Sequence, residues 1–316
     1  MRHHKVISIL LILVIGFSIL FLVYGLNPVS YQYALSKRIP KLIAMMLTGS
    51  GIAVSSVIFQ TVTNNRILTP SVLGLDSLYT LLQTFIVFVF GSLQMAAIGS
   101  NMNFLLAGAL MIGFSFLLFR MMFRQENQNL FFLLMLGMIF GTLFSSLSSF
   151  MQMVMDPNEF LIVQNKMFAN FNNVQQALLG ISIITIIVTF IWSFKDLKRL
   201  DVLALGRENA INLGLDYDRL VRKLLVVVSI LVAVSTALVG PITFLGILVT
   251  NLSYQLTKNY RHSVVIPTAI LISLLALIGG QFLVERVFSF NTTIGVIINF
   301  IGGIYFIYVL LKEERL

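Results

Sequence analysis

The sequence predicts an all-α fold, a polytopic bundle of about ten transmembrane helices with both termini in the cytoplasm, and three observations carry the prediction. Of 316 residues, 58% are hydrophobic and 10% charged, where soluble domains average about 45–50% and about 25%. Apolar runs of 15 to 25 residues recur along the whole chain, whereas a membrane β-barrel would show weaker alternating segments of about ten residues. Helices are then the remaining way to satisfy the backbone in lipid. The third observation is the placement of the cations, which fixes the orientation below.

At about 20 residues per span, helices are expected near 6–24, 42–59, 72–91, 96–119, 130–154, 177–194, 221–239, 242–256, 264–284 and 294–311. The first follows MRHHK, but its apolar run, Val6 to Tyr24, is too long for a signal-peptide core and no small-residue cleavage site follows. It reads as a retained helix. The second carries Gly49, Ser50, Gly51, Ala53, Ser55 and Ser56, small residues that permit close backbone approach. The third opens in VLGLDS with Asp76 near its start.

The fifth is rich in methionine, with Met135, Met138, Met151 and Met153 in it and Met155 just beyond. Those side chains suit an adaptable wall along a pathway, and equally a lipid-facing or core surface. The semi-polar stretch Asp156 to Gln176 has room for a short interfacial helix. The eighth span is short and follows Gly240-Pro241, a helix break, because proline cannot continue a helix through that point.

With the N-terminus inside, 16 of the 21 Lys and Arg residues, Arg124 and Arg315 among them, fall on the cytoplasmic side. That bias supports the orientation. Five remain outside: Lys37, Arg38, Lys41, Lys166 and Arg286. The net charge of +9 therefore reports topology rather than a nucleic-acid partner.

Several function classes fall away. The chain has no cysteine, so disulfides and thiolate sites do not arise. Catalysis at bilayer depth needs paired carboxylates, a serine with a base, or a metal cluster. None is present, the three histidines (His3, His4, His262) lie in polar segments, and neither a catalytic residue nor a bound metal or cofactor is expected. An ion-coupled carrier should bury several ionisable groups near the midplane. Asp76 is the one candidate, and it reads more simply as an interfacial or helix-capping carboxylate. Energy is then expected from a separate ATPase.

The longest charged cytoplasmic segment, Lys195 to Lys223, contains ALGRENAINLGLDYDRLVRK. Gly206 and Gly214 bracket a short amphipathic helix on which Ala210 and Leu213 should face one side and Arg207 and Glu208 water. The residues alone leave two readings: a helix that docks into a partner, or a solvated basic loop.

ALGRENAINLG resembles the ALGxxxAxxLG segment of the iron-siderophore and vitamin B12 class of ABC importer permeases, the FecCD family. SKRIPKLIAMMLTGSGIAVSSVIFQTVTNNRILTPSVLGLDS is similar to the family's second-helix signature, and VGPITFLGILV with IGVIINFIGGIYFIYVLLK to its GPIxFxGLxxP and closing-helix segments. The matches span nearly the whole chain, taken as one permease domain over 1–316 with a coupling segment at about 196–220. Three departures stand out: Thr250-Asn251 in place of Pro-His, Lys41 for the second Arg of RxPR, and Gly302-Gly303-Ile304 for Gly-x-Pro.

The resemblance implies residue roles. Ala204, Leu205, Gly206, Arg207, Glu208, Ala210, Leu213 and Gly214 would couple to a cytoplasmic ABC ATPase that uses ATP and Mg. Arg38, Lys41 and Arg286 would dock an extracytoplasmic substrate-binding (lipo)protein. Met135, Met138 and Met151 would line a pathway shared with a second permease subunit. It also implies uptake of ferric siderophores, of catecholate type by overall similarity, with haem or cobalamin and an ion-coupled secondary transporter as alternatives.

Overall fold

The computed structural model describes residues 2–26, 31–123, 130–172, 174–290 and 292–313, so Arg124 and Arg315 lie outside the described residues. The elements are α1 (Arg2–Val23), α2 (Tyr31–Thr63), a 3-10 turn (Pro70–Leu73), α3 (Leu75–Phe123), α4 (Leu130–Val154), α5 (Pro157–Lys166), α6 (Gln176–Leu197), α7 (Leu200–Leu203), α8 (Arg207–Asn212), α9 (Tyr217–Val239), α10 (Leu245–Thr257), α11 (His262–Arg286) and α12 (Ile294–Glu313). No strand occurs among the described residues. Seven described stretches are long and apolar enough to cross a membrane, and Leu75–Gly91 and Ile294–Val309 are shorter apolar helices.

Straight, the 49 residues of α3 would reach about 74 Å, more than twice the hydrocarbon thickness of a bilayer. The backbone instead leaves helical geometry at Gly91 and Gly99. The two arms fold back on each other, and Gln83 and Asn103 exchange side-chain hydrogen bonds of 3.2 Å across the hairpin. These arms coincide with the helices expected from sequence near 72–91 and 96–119.

α2 is the axis of the bundle, packed against α6, α9, α10 and α11. Its small residues do what their size suggests. A Cβ added to Gly51 would stand 2.6 Å from the Ser235 hydroxyl on α9, and one on Gly49 3.0 Å from Leu277 on α11. Such close approach supplies the dispersion contacts that hold helices together where lipid is as apolar as the side chains. At the periphery, only 17% of the spanning windows of α1 and α4 is buried, against 72% for α2 and α9.

α9 ends at Gly240-Pro241, where the Gly240 N–H closes onto Thr236 O at 2.8 Å. α10, with 13 residues, rises only about 20 Å and so starts within the bundle. Asp76, in the first turn of α3, accepts a hydrogen bond from Thr243 just ahead of α10 (3.3 Å). A carboxylate there faces the positive end of its own helix dipole. Asp156 caps α5 by accepting from the Asn158 N–H at 2.8 Å.

Candidate functional site

At one rim, the cations singled out by sequence converge on α1 and α11. Arg38 donates through Nη1 to the carbonyls of Leu22 (2.8 Å) and Tyr24 (2.9 Å), and more weakly to Phe21 (3.3 Å). Arg286 donates to the same Tyr24 carbonyl at 2.9 Å and lies over the Tyr24 ring. Both guanidiniums thus answer carbonyls left open at the end of α1, where the dipole favours positive charge. Lys41, one turn from Arg38, points elsewhere. Its ammonium binds Glu285 Oε1 at 3.0 Å and Asn172 Oδ1 at 2.8 Å, and Gln281 donates to both of those oxygens at 3.0 Å. The pair is largely shielded, with side chains 16% and 10% exposed. Lys41 is therefore held by partners inside the chain, whereas Arg286 is exposed.

At the opposite end, α8 sits between two glycines with distinct backbone duties. Gly206 precedes it at φ 91°, ψ 165°, a conformation essentially closed to other residues. Gly214 follows at φ 85°, with its N–H on Ile211 O (2.8 Å) and the Leu215 N–H on Ala210 O (3.0 Å). That pair of bonds is the Schellman ending of a helix. Arg207 reaches Asp218 on α9 at 3.4 Å and so ties α8 to the next long helix.

Ala210 is fully buried, but Leu213 is 63% exposed, which corrects the expectation that the two share a side. α8 has only six residues, and Leu213 lies at its C-cap, just before the chain reverses at Gly214. Leu213 instead joins Leu205 and Ile211, 54% and 45% exposed, as apolar side chains open to the outside.

α2 and α11 are joined near both ends. Far from the Lys41–Glu285 pair, at the other end of α2, is a second clasp. Asp201 Oδ1 on α7 accepts from the His262 backbone N–H (2.7 Å) and pairs with His262 Nδ1 (2.6 Å), and His262 Nε2 pairs with the Thr61 hydroxyl at 2.8 Å. Along α2 the two clasps are about 30 Å apart, about the hydrocarbon thickness.

The profile of the FecCD transport family matches residues 5–312. The chain belongs to that family. The petrobactin import system permease protein YclO of Bacillus subtilis (strain 168) is 56% identical over 315 residues, covering 100% of this chain and 99% of its own. FatC of Bacillus anthracis, also named a petrobactin import system permease protein, is 37% identical over 300 residues, covering 93% and 84%. A solved chain described as a metal-chelate type ABC transporter in an inward-facing conformation superposes with a TM-score of 0.85, covering 98% of this chain and 99% of that one. At 21% identity, that likeness speaks for the fold.

The FecCD-type Arg-x-Pro-Lys motif thus lies at one rim and the ALGRENAINLG segment at the other. Met135 and Met138 are exposed on α4 and Met151 is partly covered, so all three stand on the peripheral helix rather than in the core. The departures from the FecCD pattern have local partners. Asn251 donates to the Arg66 carbonyl (3.2 Å) and thereby fastens α10 to the turn after α2, and a Cβ on Gly302 would stand 2.5 Å from Phe244. Sequence reasoning missed Glu285, Asp201 and Thr61. No local pattern announces them, because each partner lies tens to hundreds of positions away.

Proposed function

We propose that this FecCD permease is the membrane-spanning subunit of an ATP-driven importer of ferric siderophores of the catecholate type, in the cell membrane, with ten spans and both termini cytoplasmic. The names of two petrobactin import permeases that the chain resembles support the substrate class. In this reading a loaded binding protein docks at the rim of Arg38 and Arg286, where Lys41 holds α2 against α11. A pair of ABC ATPases below closes on ATP and Mg, and the segment from Ala204 to Gly214 passes that closure to the helices. A second permease subunit, a different chain as in many members of the family, covers α4 and shares a pathway along Met135, Met138 and Met151. The chain itself performs no chemistry and needs no cofactor.

One observation carries the reading: Leu205, Ile211 and Leu213 stand exposed on and beside a short helix bracketed by two glycines in positive-φ backbone. Exposed leucines on a short, rigid, polar-flanked element are what a groove on a partner would take up. The chain has no cysteine, so a single Leu213→Cys places one thiol on that face. In inside-out vesicles carrying the assembled importer, a thiol-to-amine crosslinker should join this thiol to the ATPase, and the thiol should resist a maleimide that labels it when the ATPase is absent. Full labelling in the assembled, ATPase-containing complex would remove the coupling assignment.

A further inference from the structure

We infer that Asp201 and His262 are a positioning pair that hands movement of the coupling segment to α11, and through α11 to the rim that carries Glu285 and Arg286. The inference rests on the coupling reading above and adds the route by which that segment acts.

The geometry is specific. His262 is the first residue of α11, and its N-cap, Arg261, offers no side-chain cap. The open backbone donor of His262 is met instead from another element, by Asp201 on α7 at 2.7 Å. α7 is anchored by Leu200 and Leu203, both essentially buried, and leads directly into Ala204 and Leu205. A carboxylate accepts and does not donate, so the imidazole proton sits on Nδ1, toward Asp201 at 2.6 Å. Nε2 is then left to pair with the Thr61 hydroxyl at 2.8 Å. One buried imidazole, 3% exposed at its side chain, thereby joins α7, α11 and α2.

The surroundings make this junction mechanical rather than one contact among many. A cavity of about 570 Å³ is lined by Asp201, His262 and Thr61 of the clasp together with Ala204, Leu205 and Tyr254. The clasp bridges its edge, so a shift of the segment is felt at the first turn of α11 while the space beside it takes up displaced side chains. α11 then runs its whole length to Glu285 and Arg286, about 35 Å away. The Lys41–Glu285 pair fastens that far end to α2. A load applied at Asp201 reaches the opposite rim through one helix held at both ends.

The test uses the complete importer in proteoliposomes: both permeases, the ATPase and the loaded binding protein. Uptake of ferric chelate and ATP hydrolysis are measured together for Asp201→Ala, His262→Ala, the double variant, and the conservative Asp201→Asn and His262→Asn. We expect the ATPase to co-purify with every variant. Chelate taken up per ATP should fall about tenfold in each alanine variant, within the range of energetic couplings between sites. The double variant should be no worse than either single, because both remove one link, and Asp201→Asn, which keeps the acceptor oxygen, should restore most of the yield. Wild-type yield in Asp201→Ala, additive losses in the double variant, or loss of the ATPase from the complex would each overturn the inference. If the alanine variants fail to insert, Thr61→Val removes the third partner of the imidazole at constant shape, and an unchanged yield there overturns it as well. Absence of ATPase from the wild-type complex is a separate outcome, which removes the coupling reading itself.

Discussion

Lys41 stands where the family pattern has the second arginine of an Arg-x-Pro-Arg motif, and its ammonium is held by Glu285, 244 positions away, on a different helix. Lysine suits that role, being a compact charge able to take several acceptors at once. Removing Lys41 leaves the shielded Glu285 carboxylate with Gln281 as its partner and takes away one charged hydrogen bond, which costs about 1–3 kcal/mol. Lys41→Ala should therefore lower the melting temperature of the detergent-solubilised permease, and Lys41→Met with Glu285→Leu should recover much of it. Equal melting of the single variant and the wild type would show the pair to be dispensable. Arg38 and Arg286 make a different prediction. Their partners are carbonyls at the end of α1, which keep no buried charge waiting if they are lost. The double variant Arg38→Glu, Arg286→Glu should insert normally, as judged by membrane yield, yet lose uptake driven by the binding protein. Unimpaired transport by that variant would end the docking assignment. None of these pairings was legible in the sequence. The motif pointed to the cations, but their partners are set by how α1, α2 and α11 pack.

Among the elements, the spans were legible and the exceptions are physical. Hydropathy located every long helix, because lipid imposes length and apolarity on each one. It could not show that the arms of α3 form a hairpin closed by Gln83 and Asn103. Gly240-Pro241 was readable as a break because proline acts locally. The expected shared side of Ala210 and Leu213 failed because an element under two turns long has too few residues to define a face. The glycines that frame α8 were legible in position, and the structure supplies the reason. A Cβ at Gly206 or Gly214 would meet nothing within 4 Å, so a substitution there acts through backbone strain alone, about 1–2 kcal/mol at Gly214. Gly214→Val should thus leave the bundle folded while loosening α8. Stimulation of ATP hydrolysis by loaded binding protein should fall several-fold, and unchanged stimulation would separate α8 from the coupling mechanism.

At the scale of the whole molecule, α2 and α11 form a clamped pair crossing the bundle, tied by Lys41–Glu285 at one rim and by Asp201–His262–Thr61 at the other. The fold thereby places the Arg38–Arg286 rim and the segment from Ala204 to Gly214 at the two ends of this clamped pair. Family membership was legible because the matching segments span nearly the whole chain and profile agreement covers residues 5–312. The link between the ends was not, because it depends on pairings made only in three dimensions. The most direct measurement is accumulation of a ferric catecholate siderophore in proteoliposomes carrying this chain and its partners, with ATP inside and ion gradients collapsed by ionophores. Uptake that persists there, and stops when ATP is replaced by a non-hydrolysable analogue, is the predicted result. Accumulation that follows an imposed ion gradient without any ATPase subunit would contradict it.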